Sequence, residues 1–191
     1  IGVSVIECRG DISITDSYFL NNSTSNYGVI YIEAPIAITT INNVLIANNV
    51  GAAIYLYSGT FISNNSTIVN NTISGNGALE IQSNSGQAHL SNTIFWDNHT
   101  YEIFLHEESS LISIKYSDIE SGESGINNNG QIIWGAGNID SNPNFVDAGN
   151  SNYRLQNYSQ CIGAGLDTSI VHTTDIEGNP RPNPEGSNPD M

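Results

Sequence analysis

Apolar and polar positions alternate in short runs along this chain, and the runs recur at a fixed distance. One recurrence is a pair of apolar residues flanking a single residue: Ile30/Ile32, Ile54/Leu56, Leu79/Ile81 and Ile103/Leu105. These pairs begin 24, 25 and 24 residues apart, and Val3/Val5 reads as the first member. A second recurrence has an apolar residue at its start, Asn or Asp at +2, an apolar residue at +5 and Asn at +8. It begins at Ile14 (Asp16, Phe19, Asn22), Ile41 (Asn43, Ile46, Asn49), Ile68 (Asn70, Ile73, Asn76) and Leu90 (Asn92, Phe95, Asn98). A decayed copy begins at Ile114, with Tyr116, Ile119 and Gly122, and the intervals are 27, 27, 22 and 24. Two ladders of nearly equal period predict a repeat of about 25 residues, and Gly51 to Asn76 is its clearest copy.

The composition of the repeat selects its architecture. Asn-Asn and Ser-Asn pairs at these positions would break amphipathic helices, which excludes a helical solenoid. A Leu-x-x-Leu-x-Leu frame is absent. Period-2 runs separated by Asn/Gly turns predict an all-β fold, a parallel β-helix of about five coils with strands about 4.8 Å apart. The right hand is expected from the general preference of parallel crossovers. Phe19, Ile46, Ile73, Phe95 and Ile119 would then stack as a buried column, and Asn22, Asn49, Asn76 and Asn98 as a polar ladder at one turn. The period fails beyond Glu123. Residues 1–122 are therefore read as coils, and 123–191 as a C-terminal cap and extended tail of the same domain. The cap holds two short strands, Gln131–Trp134 and Tyr153–Leu155, and shields an open apolar end. The tail from Asp175 reads as an extended strap or as disorder.

Charge narrows the partners. Four Lys and Arg against 19 Asp and Glu leave a net charge of −15, with no basic stripe for nucleic acid, anionic membranes or acidic polysaccharide. No apolar run approaches the roughly 18 residues of a membrane span. A Lys-poor acidic surface suits a secreted or cell-surface protein. Cys8 and Cys161 lie at opposite ends of the pattern, too far apart to bridge. The opening IGVSVIECRG already reads as strand, which suggests a piece of a longer precursor.

Phe19-Leu20-Asn21-Asn22, Phe95-Trp96-Asp97-Asn98 and Gly51-Ala52-Ala53-Ile54 resemble the coil motifs of the polymorphic outer-membrane proteins and their β-helix relatives. The stretches 138–147, 153–156, 159–165 and 175–181 are similar to the C-terminal portion of bacterial right-handed parallel β-helix repeat proteins of the choice-of-anchor type. The resemblance implies a bacterial protein that is secreted or anchored at the cell surface. It implies no single activity, since β-helices carry lyases, hydrolases, adhesins and stalks alike.

Candidate chemistry is sparse. A uronate lyase needs a cationic neighbour beside its base, and neither Lys115 nor Arg9 has a second basic partner stacked beside it in the pattern. A glycosidase needs two carboxylates about 5 to 9.5 Å apart. Asp97, Glu102, Glu107, Glu108, Asp118 and Glu120 show no clustered pair motif and read as solvated turn and rim groups. Asp140-x-Asn142-x-Asn144 begins as a calcium loop does, but Phe145 and Ser151 stand where Gly and Glu are needed, so no cofactor is expected. His89, His99, His106 and His172 show no metal-ligand spacing.

The outward positions of the first ladder carry the remaining signal. Stacking the coils sets Tyr31 beside Tyr55, Glu80 and Phe104, and sets Glu33 beside Tyr57, Gln82 and His106. Aromatics with hydrogen-bonding neighbours suit a sugar ring, so Tyr31, Tyr55, Tyr57, Glu80, Phe104 and His106 form the candidate ligand-binding face. The expected function is non-catalytic: an adhesive, glycan-binding or spacer module whose partner is an extracellular polysaccharide or a surface protein. The alternative is an extracellular polysaccharide-degrading enzyme whose active groove lies partly or wholly on coils outside these residues.

Overall fold

The computed structural model describes residues 4–25, 27–72, 76–82, 85–167 and 173–191. The chain coils as a parallel β-helix of about five turns, each with three flat faces. Face I is built from β1 (Ile6–Cys8), the start of β3 (Ile30–Ala47), the start of β4 (Ile54–Val69), β5 (Leu79–Ile81), β7 (Ile103–Leu105) and β10 (Ile126–Asn128). Face II holds the first half of β2 (Ile12–Leu20), the middles of β3 and β4, the start of β6 (Gln87–Trp96), β8 (Leu111–Lys115) and β11 (Gln131–Trp134). Face III holds the ends of β2, β3, β4 and β6, then β9 (Asp118–Ile119).

Every inter-coil pairing is parallel, and residues in register stack as columns. Ile6, Ile30, Ile54, Leu79, Ile103 and Ile126 form one inward column of face I; Cys8, Ile32, Leu56, Ile81 and Leu105 form the other. The first member of this ladder is therefore Ile6/Cys8; Val5 is exposed, and Val3 lies outside the described residues. Each fully buried Ile or Leu in these columns contributes about 1.5–3 kcal/mol by leaving water. Cys8 and Cys161 are both free and buried.

The register departs from the sequence expectation in the third coil. Face III stacks Phe19, Ile46, Ile68, Phe95 and Ile119, so Ile68 occupies the column assigned to Ile73, which lies outside the described residues. On face II, Ser63 takes the inward position of Ile41 and Leu90. Its hydroxyl meets that of Thr93 at 3.1 Å, and the neighbouring inward residue, Phe61, supplies the missing apolar volume.

The turn from face III to face I fixes this register. Asn22, Asn49, Asn71 and Asn98 form the ladder, and Asn76 stands outside it, exposed. From Asn49 onward, each Oδ1 accepts from the backbone N–H and the side-chain amide of the Asn one coil earlier, at 2.8 and 2.9 Å from Asn22 to Asn49. The equivalent distances are 3.1 and 2.8 Å from Asn49 to Asn71, and 3.0 and 2.9 Å from Asn71 to Asn98. The left-handed residue at this corner is the preceding one, Asn21, Asn48, Asn70 or Asp97. A second left-handed column, Asp16, Asn43, Asn65, Asn92 and Tyr116, bends each coil from face II to face III.

Parallel pairing runs past Gly122, through β10 and β11 to a bridge between Asp118 and Ile139. The rest of the chain is not a plug on the open end. The antiparallel hairpin of β12 (Phe145–Asp147) and β13 (Asn152–Leu155) lies along face III. Tyr153 and Phe145 pack there on Ala47, Val69, Leu20 and Trp96. Asn92 holds this strap through both amide atoms, accepting from Leu166 N–H at 2.8 Å and donating to its carbonyl at 3.0 Å. Asn43 contacts Thr174 and Arg181, and Asn48 accepts from the Tyr153 hydroxyl at 2.6 Å.

Asn71→Ala is expected to destabilise the fold by about 2–3 kcal/mol, because it strands the buried Asn49 N–H and removes the acceptor of the Asn49 side-chain amide. Asn76→Ala should cost under about 0.5 kcal/mol, as an exposed substitution does. Urea unfolding of the two variants checks the register.

Candidate functional site

The outward column of face I is Glu7, Tyr31, Tyr55, Glu80, Phe104 and Asn127, so Tyr31, Tyr55, Glu80 and Phe104 do stack on successive coils. The column is less open than outward-pointing strand positions imply, because the turns that carry Tyr27 and Tyr101 fold back over it. Tyr27 lies across Tyr31 and Tyr55 with ring centroids at 4.6 and 5.7 Å, and Tyr101 approaches Phe104 at 6.1 Å. Tyr31 is consequently only 7% exposed and Glu80 5%. Tyr55, Phe104 and His106 are half-buried. Tyr27, at 41%, joins this surface although its turn position carried no strand signal.

The second predicted column is broken. Glu33 pairs with Ser58 rather than Tyr57, because β4 carries one extra residue there and β3 three extra before Ile38. Tyr57 is thereby thrown outward, 47% exposed. The overhang of residues 34–37 crosses Gly59, whose φ of +100° and close approach to the Ala34 carbonyl exclude any side chain. Gln82 and His106 do meet, at 2.6 Å, and both contact Glu80 Oε2 at 3.0 Å. Glu80 Oε1 accepts from Asn76 N–H at 3.0 Å, which gives this buried carboxylate a full set of partners.

Burial by these rings and the charge of Glu33 push the Tyr31 phenol up to about 12; burial and Glu80 do the same for Tyr55. Both remain neutral donors at any physiological pH. The face can stack on the apolar side of a ring through Tyr27, Tyr55 and Tyr57, and can donate from hydroxyls at its edge.

Two carboxylates read as solvated rim groups are in fact buried. Glu102 is 3% exposed and ends the Asn ladder, accepting from Asn98 N–H at 3.1 Å and from its side-chain amide at 2.6 Å. Burial raises its pKa to about 8, and it shares a hydrogen bond with Glu120. Asp118, beneath the strap, accepts from Ser141 N–H and from the Cys161 thiol, both at 3.1 Å; burial raises it to about 6 and keeps the thiol protonated. The signal for Glu102 lay four residues past the last ladder Asn, where a turn carboxylate reaches back to the orphan amide. Asp140 holds Ser121 N–H at 3.0 Å, and Asn142 closes a local turn with Asn144. Among the described residues no three His, Cys, Asp or Glu side chains group to hold a metal ion. His172 lies outside the described residues.

A cleft of about 270 Å³ opens on face II, lined by Ile62, Asn64, His89, Leu90, Ser91, Ser113 and Lys115. The column pattern had left Lys115 without a basic neighbour. The register sets His89 beside Ser113 and Ser91 beside Lys115, so the two basic side chains flank the same cleft on adjacent strands.

The stacked parallel faces and buried ladders define a β-solenoid of the parallel β-helix class. The model of the right-handed β-helix region family matches residues 1–158, and the chain belongs to that family. No curated protein and no solved structure matches the chain.

The two buried carboxyls make stability pH-dependent in a defined direction. An unfolded chain loses the Glu102 proton near the ordinary value of 4.5, whereas the folded chain keeps it to about 8. The stability this contributes is complete below pH 4.5 and is lost as pH rises through 8. Asp118 adds the same sign between 3.8 and about 6. The melting temperature should therefore fall from pH 5 to pH 8, and Glu102→Gln, which keeps a donor toward Glu120, should flatten that fall.

Proposed function

We propose that this chain is a non-catalytic segment of a secreted or cell-surface bacterial β-helix protein, and that face I binds glycan while the rod acts as a spacer. The observation that carries this reading is the aromatic surface of face I. Tyr27, Tyr31 and Tyr55 stack into one another, which fixes their rings, and Tyr57 stands 47% exposed beside them. Rings held in place before binding lose little freedom when a sugar stacks on them. The buried carboxylates support a non-catalytic role: Glu80, Glu102 and Asp118 are each committed to bonds that hold turns or the strap. An enzyme acting on extracellular polysaccharide is the second reading, and the face II cleft is the feature in its favour.

Immobilised plant, algal and bacterial polysaccharides test both. The wild-type chain is expected to be retained by at least one neutral glycan, and a Tyr27→Ala, Tyr57→Ala double variant to lose at least tenfold in affinity. Release of reducing ends or of unsaturated products would replace the binding reading with the enzymatic one. Equal retention of wild type and variant would remove face I as the binding surface.

A further inference from the structure

We propose that the cleft on face II is a separate binding site for a carboxylate-bearing sugar unit, held by Lys115 and His89. The charge distribution singles this cleft out. Arg9 pairs with Glu7 and Glu33, at 3.4 and 3.5 Å, and Arg154 with Glu177. Arg181, part of the strap, is bonded to Asn43 and attracted by Asp175, Asp190 and Asp16. Lys115 and Arg181 make no ion pair among the described residues, but Arg181 has these carboxylates around it, whereas none lines the cleft that Lys115 borders. In a chain of net charge −15, a recess walled by Lys, His, Ser and Asn is a local positive island.

The walls favour a sugar over a bare anion. Ile62, outward and half-buried, gives an apolar patch for the C–H side of a pyranose, and about 270 Å³ admits one ring. Asn64 anchors its amide nitrogen on Asn42 at 2.9 Å, which leaves its Oδ1 to accept from a sugar hydroxyl. Ser91 Oγ, shielded beneath Lys115 and Asn64 in the register, has no hydrogen-bond partner. A ligand hydroxyl or carboxylate that displaces the side chains above it would supply one. Lys115 reaches from an exposed strand end as a point charge on a flexible stem, suited to a carboxylate at the ring's edge.

This site uses a different face from the aromatic column, so the two readings fail independently. The test is a backbone-amide NMR titration at pH 7 with three probes: galacturonate, galactose and sodium acetate. Galacturonate is expected to shift the amides of Asn64, Ser91, Ser113 and Lys115 saturably, with galactose producing no saturation and acetate binding at least tenfold more weakly. Lys115→Gln should abolish the galacturonate response, whereas Arg154→Gln, which removes the same charge elsewhere, should preserve it. Four results would overturn the proposal: no saturable galacturonate shift in these residues, an equal response to galactose, an equal response to acetate, or an equal loss in both variants.

Discussion

A chain that turns a corner in the interior must bury peptide N–H groups, and in this molecule that demand is met by an asparagine from the next coil. Asn49, Asn71 and Asn98 each accept two hydrogen bonds from behind on a single Oδ1, and their amides also reach carbonyls of neighbouring coils: Asn49 to Phe19, Asn71 to Ile46 and Asn98 to Ile68. The ladder therefore has a direction, and at its C-terminal end a donor pair is left over. Glu102 takes that pair, which is why a carboxyl group sits almost without solvent at the corner of the fifth coil and holds its proton toward pH 8. The rest of each coil is free to vary around this fixed corner. The overhang at residues 34–37 and the extra residue at Tyr57 alter strand lengths between faces I and II without disturbing the alignment of the corner.

The second constraint is the apolar outer surface of face III. Leu20, Ala47, Val69 and Trp96 stack outward there and would form an exposed stripe. The C-terminal strap covers it, anchored by amide groups from the left-handed bends at Asn43 and Asn92 and from Asn48 at the next corner. With face III closed and its carboxylate Asp118 bonded to Ser141 and Cys161, faces I and II remain as the surfaces that carry candidate chemistry. Face I offers fixed aromatic rings, and face II offers an unpaired cation in a cleft.

Much of this was legible because stacking imposes a period on the sequence. The face I ladder appears in the chain as apolar pairs 24 or 25 residues apart, and the structure pairs those residues with one another. The third-coil slip has a specific cause. Ser63 occupies an inward position that an apolar-first pattern rejects, while Ile68-x-Asn70-x-x-Ile73-x-x-Asn76 satisfies the pattern five residues too late. The compensating Phe61 lies outside the nine-residue signature and could not correct it. The closure of Tyr31 and Glu80 was hidden because Tyr27 and Asn76 cover them from turns, where periodicity is silent. In the sequence the tail from Asp175 reads as an extended strap or as disorder, and the residues before it as a cap on the open end. Their path along face III was not legible, since its contacts join residues such as Asn92 and Leu166 across 74 positions.

The dependence of the fold on the ladder is tested most directly by hydrogen exchange of individual asparagine side-chain amides, resolved by NMR. The account predicts that the Asn49, Asn71 and Asn98 amides exchange only with global unfolding, while the exposed Asn76 amide exchanges at the rate of free asparagine. Equal, fast exchange at Asn71 and Asn76 would contradict the assigned register and the role given to the ladder.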